Sequence, residues 1–222
     1  MEQIIFKDEG VNFGNIKEFI NKNNIRIILF AETHGLINEL EVQEEIIKNS
    51  KPSVYLYELL EEESLISKED FDNFLSRSDE EDFSIISKFS DLKLAIKMAR
   101  KFGIPIIGCD IKDMLRKNTR FREPHEISKS ELKEEEKIME EREKKQIEII
   151  NKYLNSNKNL LFVSIGAYHL RKNSPIFKSL KSNYLLVYPL FDGKEIGEIN
   201  NPLNHEVVFC IKSNITKNGK KS

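Results

Sequence analysis

The sequence predicts an α/β fold, a mainly parallel central sheet flanked by helices, on three observations. Four short apolar runs, residues 25–31, 53–58, 104–109 and 160–165, carry the Ile, Val, Leu, Phe and Tyr content of strands buried on both faces. Stretches with apolar residues spaced at three and four lie between them, and alternating strand and helix builds parallel sheets. Each run also gives way to an acid or an imidazole: Glu32 and His34, Glu58, Asp110, and His169. In open α/β sheets the carboxyl ends of the strands are where ligands bind.

The elements follow in order. Residues 3–6 read as a short edge strand, and Asn15 to Asn23 as a helix with Ile16, Phe19 and Ile20 on one face. After the opening strand, Asn38 stands as a helix N-cap with Glu41 in the capping-box position, and Ile37 and Val42 as a staple. That helix turns Leu40, Ile46 and Ile47 inward and ends before Pro52. The second strand runs from Ser53 to Glu58. Residues 61–89 are acidic and poorly periodic, and are expected as short helices forming a cap or insertion. From Ser90 the pattern is regular: Leu92, Ala95, Met98, Ala99 and Phe102 share a face, and Gly103 supplies the helix stop.

Ile104 to Cys109 is the third strand, and 111–128 a basic loop or broken helix with Arg116, Arg120, Arg122, Pro124 and His125. A long helix dense in Glu and Lys spans about 130–154, and Leu160 to Ile165 forms the fourth strand before Gly166-Ala167-Tyr168-His169. Ser174 and Pro175 cap and open a short helix. Tyr184 to Leu190 and Glu206 to Ile211 are two further strands, and 213–222 is expected as a disordered basic tail. Nothing resembles an interdomain linker, so 1–212 is expected as one α/β domain.

Composition narrows the function. The chain has 222 residues, 39% hydrophobic and 32% charged, with a net charge of −2. That balance gives no electrostatic argument for a nucleic-acid partner. No stretch approaches the roughly 18 continuous apolar residues of a membrane helix, and the N-terminus lacks a signal-peptide pattern, so a cytoplasmic location away from membranes is expected. Cys109 and Cys210 both sit in apolar runs and read as reduced core residues. There is no Gly-x-Ser-x-Gly elbow and no phosphate-cradling glycine loop, which disfavours serine hydrolases and nucleotide-binding proteins.

If the four strands are parallel, their polar ends share one rim, and Glu32, His34, Glu58, Asp110 and His169 can converge there. Arg142 joins them: the inward stripe of the long helix should run Ile138/Met139, Arg142, Gln146, Ile149/Ile150, Tyr153, placing a guanidinium where an apolar residue is expected. It can fix a carboxylate bidentately or bind a substrate anion. Asp110 is a peripheral candidate, and His125 and His205 read as surface or turn residues. Two histidines with carboxylates can hold a divalent metal, or a histidine oriented by a carboxylate can activate water without one.

These residues resemble a superfamily containing the TraB/PrgY/GumN proteins, Tiki metalloproteases, erythromycin esterase-like enzymes and ChaN-like haem-binding lipoproteins. Its pattern of Gly-Glu-x-His, a Glu after the next strand, a helical Arg and Gly-x-x-His looks like Ala31-Glu32-Thr33-His34, Glu58, Arg142 and Gly166-Ala167-Tyr168-His169. Two departures stand out. Ala31 replaces Gly and is expected to narrow the backbone approach to a ligand, and Glu143 replaces the usual Asn or Asp and is expected to point off the inward stripe.

The resemblance implies two related halves forming one cleft. It also implies a hydrolase of ester, lactone or amide bonds acting on a small-molecule or peptide substrate. Glu32, His34, Glu58, Arg142 and His169 would be catalytic, and a Mn, Co or Zn ion would sit on His34, Glu58 and His169. The alternatives are a haem or small-ligand binding protein using a His or Tyr168 as axial ligand, and an inactive member of the family.

Overall fold

The computed structural model describes residues 4–7, 13–33, 37–77, 90–112, 129–156, 159–171, 173–191 and 206–211. Among these residues eight strands form one sheet: β1 (Ile4–Lys7), β2 (Ile27–Glu32), β3 (Val54–Tyr57), β4 (Ser64–Leu65), β5 (Ile106–Gly108), β6 (Leu161–Gly166), β7 (Tyr184–Phe191) and β8 (Glu206–Ile211). Their order is β1-β8-β7-β2-β6-β3-β5-β4. The six strands from β8 to β5 are mutually parallel, and β1 and β4 close the two edges antiparallel. The expected fold class is therefore the observed one.

The order also carries the expected two-halves relation. Exchanging β2, β3 and β5 with β6, β7 and β8 maps the parallel part of the sheet onto itself. The first strand of each half lies at the centre, next to the first strand of the other.

Helices cover both faces. Strands β2, β3, β5 and β6 are buried along their whole length, as a sheet coated on two sides requires, and strand alternation divides their side chains. Ile28, Phe30, Tyr55, Tyr57 and Phe162 point to one face. There they meet α1 (Ile16–Lys22), α2 (Ile37–Ser50), α3 (Lys68–Ser76) and α4 (Ser90–Phe102). Ile27, Leu29, Ala31, Leu56, Val163 and Ile165 point to the other, against α5 (Lys129–Ser156) and α6 (Pro175–Ser179). Ala31, expected to border a ligand, is fully buried among these core residues.

Local signals placed most boundaries. Ser174 caps α6, its hydroxyl accepting from Ile176 N, and Gly103 ends α4 at φ 65°. Asn38 is a correction, because α2 already starts at Ile37, so Asn38 lies inside the helix. The acidic residue that matters in this turn is Glu39, whose carboxylate accepts from Thr33 N at 2.7 Å and ties the helix start to the exit of β2. The segment expected as a helical cap contributes the edge strand β4 as well as α3, which opens on a Ser67–Asp70 capping box; residues 78–89 lie outside the described residues, as do 113–128 and 212–222.

The return from β3 to β4 passes close over β5. Glu61 adopts φ 53°, its carbonyl accepts from Asp110 N, and the Glu63 carbonyl accepts from Gly108 N. A Cβ on Gly108 would lie 2.5 Å from the Glu61 carbonyl carbon, inside any real contact. Gly108→Ala is expected to lower stability by at least the roughly 1–3 kcal/mol of an overpacked site. Urea denaturation measures this, and an unchanged midpoint would show that the Glu61 turn yields freely.

Candidate functional site

The rim at the carboxyl ends of β2 and β6 is where the chain reverses. Leaving β2, it crosses the α2 face towards β3; leaving β6, it crosses the α6 face towards β7. Two neighbouring strands whose connections depart to opposite faces leave a crevice between them, the usual ligand position in open α/β sheets. Glu32 and Gly166 are register partners across this point.

Strand alternation then splits the polar residues into two groups. Glu32 follows Phe30 onto the α2 face and is buried. It accepts from Tyr57 Oη at 3.1 Å and from Ser164 Oγ, the residue opposite Phe30 on β6. Tyr55 Oη donates to Gln43 one layer deeper, at 2.7 Å. A buried carboxyl needs such donors, since desolvation without them costs several kcal/mol, on the order of 2–7 for a neutral polar group and more for a charge.

The second group gathers on the α5 side. Arg142 donates from Nε to both Asp110 oxygens, at 3.1 and 2.9 Å, and from Nη2 to Asp110 Oδ2 and Glu58 Oε1, each at 2.5 Å. Glu58 Oε2 accepts from Gly166 N at 2.5 Å. Nη1 of Arg142 carries none of these bonds, and the side chain keeps 12% of its surface exposed. One guanidinium therefore ties α5 to the ends of β3 and β5, and Glu58 ties them to β6.

His169 continues the row. Its Nε2 lies 3.5 Å from Glu58 Oε1 and its Nδ1 3.4 Å from Glu143 Oε1. Glu143 in turn accepts from both terminal nitrogens of Arg171, which is stacked 4.9 Å from the centre of the Tyr168 ring. From β5 outward, three carboxylates alternate with two guanidinium groups and one imidazole: Asp110, Arg142, Glu58, His169, Glu143, Arg171.

Glu143 is a correction. It does not point off the stripe: the buried positions among the described side chains of α5 are Glu143, Gln146, Ile150 and Leu154, which keeps the expected Gln146 and Ile150 and puts Glu143 and Leu154 where Arg142 and Tyr153 were expected. Asp110, expected at the periphery, is a direct partner of Arg142.

Electrostatics follow the packing. Burial lowers the Arg142 guanidinium, and the bonds to Asp110 and Glu58 more than reverse this, leaving it above its ordinary value. Burial raises the Asp110 carboxyl, with Arg142 opposing and Glu58 adding to the rise. Arg171 is raised by its bonds to Glu143. The Cys109 thiol is pushed well above its usual range by burial first and then by Glu58 and Asp110, so this residue is a packed thiol, as its apolar run suggested.

His34 lies outside the described residues, as do His125 and His205. The metal set of His34, Glu58 and His169 is therefore reduced to its last two members among the described residues, and no group of three His, Cys, Asp or Glu side chains there could hold an ion. Both oxygens of Glu58 and both of Asp110 are already bonded, largely to a fixed cation. The described donors do not fit a divalent metal. His169 does not fit as an axial haem ligand either, being buried with each ring nitrogen facing a carboxylate. Tyr168 is different, 65% exposed beside a groove of about 540 Å³ lined by Glu135, Glu136, Met139, Glu140, Tyr168 and Arg171.

Comparison with solved structures bears on the fold. The type III effector HopBA1 superposes with a TM-score of 0.52 at 16% identity, over 85% of this chain and 88% of its own. The two chains share a fold. ChaN of Campylobacter jejuni, whose structure shows cofacial haem binding, gives a TM-score of 0.49 at 14% identity over 89% of this chain and 92% of its own. No protein-family model and no curated protein matches the chain. No helix among the described residues is long and apolar enough to cross a membrane.

Tyr57, Ser164, Glu143 and Arg171 were not singled out as site residues from the sequence. A hydroxyl inside the otherwise apolar 160–165 run was the available signal for Ser164, and an acid beside Arg142 the signal for Glu143.

The row makes stability depend on Arg142. Removing one partner of a buried pair costs about 3–5 kcal/mol because the other charge is left uncompensated. Arg142→Leu is expected to lose that much at pH 7. A carboxyl raised on folding binds its proton more tightly in the folded chain, so its contribution improves as pH falls through the folded value towards the ordinary 3.8. Without the opposing Arg142 this window starts at higher pH, and the deficit of Arg142→Leu should narrow between pH 7 and pH 5 in urea melts. An equal deficit at both would mean that the carboxylates find other partners.

Proposed function

We propose that the chain is a hydrolase of ester, lactone or amide bonds that works without a metal ion. The observation that carries this reading is the Arg142 clamp: Glu58 and Asp110 fix the guanidinium and leave Nη1 outside the bonds. Donors held in place before the reaction stabilise a developing oxyanion better than donors that must reorganise. A polarised carbonyl bound at Nη1 would be attacked by water, whose proton is taken by a histidine. His169, enclosed by Glu58 and Glu143, supports the clamp in this proposal. His34 takes the proton and later returns it to the leaving alkoxide or amine, and Glu32, two residues before it in the chain, anchors the end of its strand. A small-molecule or peptide substrate suits this chemistry.

Purified protein should hydrolyse members of an ester, lactone and peptide panel, at rates unchanged by a chelator or by added Mn²⁺, Co²⁺ or Zn²⁺. Arg142→Lys, which cannot reproduce a forked guanidinium, is expected to lower kcat about 10²–10³-fold, the scale of one lost oxyanion donor. Full turnover in both Arg142→Lys and His34→Ala would end this reading.

A second reading has one observation in its favour. Exposed Tyr168, beside Met139 and Arg171 in the groove, offers a phenolic oxygen of the kind that ligates ferric haem, with a cation nearby for a propionate. When bound, haem would supply a coordination position at iron, and Tyr168 with Arg171 would hold it. Hemin titration should then give a stoichiometric Soret change that is lost in Tyr168→Phe. A flat titration eliminates this alternative.

A further inference from the structure

Glu143 occupies the centre of the buried stripe of α5, where a carboxylate is costly unless it is paired. Arg171 alone does not explain it, because Arg171 is 37% exposed and could be paired by a surface acid without burying one. The buried side of Glu143 faces His169: Oε1 lies 3.4 Å from Nδ1, which is itself buried and makes no hydrogen bond. The same Oε1 accepts from Arg171 Nη1, while Oε2 accepts from Nη2 at 3.1 Å. One oxygen thus lies between two cationic or donor groups, bonded to Arg171 at the groove and 3.4 Å from Nδ1 inside the protein.

We infer that Glu143 is a positioning residue for His169, holding a proton on Nδ1 and so fixing the ring, with Arg171 holding the carboxylate in place. The proton on an imidazole is placed by the partner of the other ring nitrogen, and a carboxylate at Nδ1 does this more strongly than a neutral acceptor. Because Arg171 and His169 share Oε1, they compete for it. Loosening Arg171 strengthens the hold on His169, and removing the charge of Glu143 weakens it. This rests on the proposed function only in that the positioned ring belongs to that site; the effect is present in the resting protein.

The test is long-range ¹H–¹⁵N correlation on the full chain labelled at histidine, with His169 assigned by the loss of its signals in His169→Gln. The wild type should show a protonated Nδ1. In Glu143→Gln, which keeps volume and fold, the proton on Nδ1 should move upfield and the ring nitrogens shift. In Arg171→Met, where Oε1 is released to His169, that proton should move downfield. Opposite signs in the two variants are a signature that a merely structural carboxylate would not give. An unprotonated Nδ1 in the wild type, or His169 signals unmoved in Glu143→Gln, overturns the inference, and so does an unmoved or upfield proton in Arg171→Met. Turnover is scored separately: shifts as expected in a protein without hydrolytic activity would refute the hydrolase reading and leave the role of Glu143 standing.

Discussion

Arg142 is the cation on which the architecture of the rim depends. Strands β3, β5 and β6 meet at their carboxyl ends, where the main-chain ladder stops and Glu58 and Asp110 are already buried. Two carboxylates brought together in that setting repel one another and lack water. The guanidinium from α5 supplies the planar, forked charge that satisfies both. It also fixes the rotation of α5, since the same turn must present Glu143 to His169. Helix placement, strand-end geometry and local charge are therefore one arrangement, and no member can move alone.

The pleat of the sheet gives this arrangement its shape. Glu32 and Glu58 both stand at the ends of central strands, yet they bond to different sets. Glu32 stays on the face of Phe30 among hydroxyl donors, while Glu58 meets a guanidinium and a main-chain N–H from the other side. Tyr57 and Ser164 offer the first carboxyl neutral hydroxyls, and Arg142 offers the second a positive charge. Those are different environments for chemistry on either side of β6: Glu32 closes β2 itself, whereas Glu58 opens the 3-10 turn that follows β3.

Much of this was legible beforehand, for identifiable reasons. Buried parallel strands write themselves as continuous apolar runs, so β2, β3, β5 and β6 stood out, together with the acid or histidine that follows each. Arg142 was visible as a charge on an apolar stripe. The phase of that stripe was not, because a helix as charged as 129–156 has too few apolar residues to fix its rotation within one position; Glu143, expected off the stripe, is buried on that account. Strand β4 is two residues long and follows a positive-φ turn at Glu61, and no periodicity announces an element so short. The division between the Glu32 and Glu58 groups depends on register between strands distant in the chain, which a one-dimensional pattern does not contain.

The strand order has a consequence for how such a protein comes into being. The first strand of each half is inserted between the strands of the other: β2 separates β6 from β7, and β6 separates β2 from β3. Neither half can close its own sheet, so a fragment ending after β5 would leave a gap where β6 belongs. Assembly on a ribosome must wait for the second half before the centre is sealed, and pairings this distant in sequence form slowly. Glu58 receives the Gly166 N–H only once that seal is made. The polar row at the rim is thus completed only once β6, the first strand of the second half, has entered the sheet.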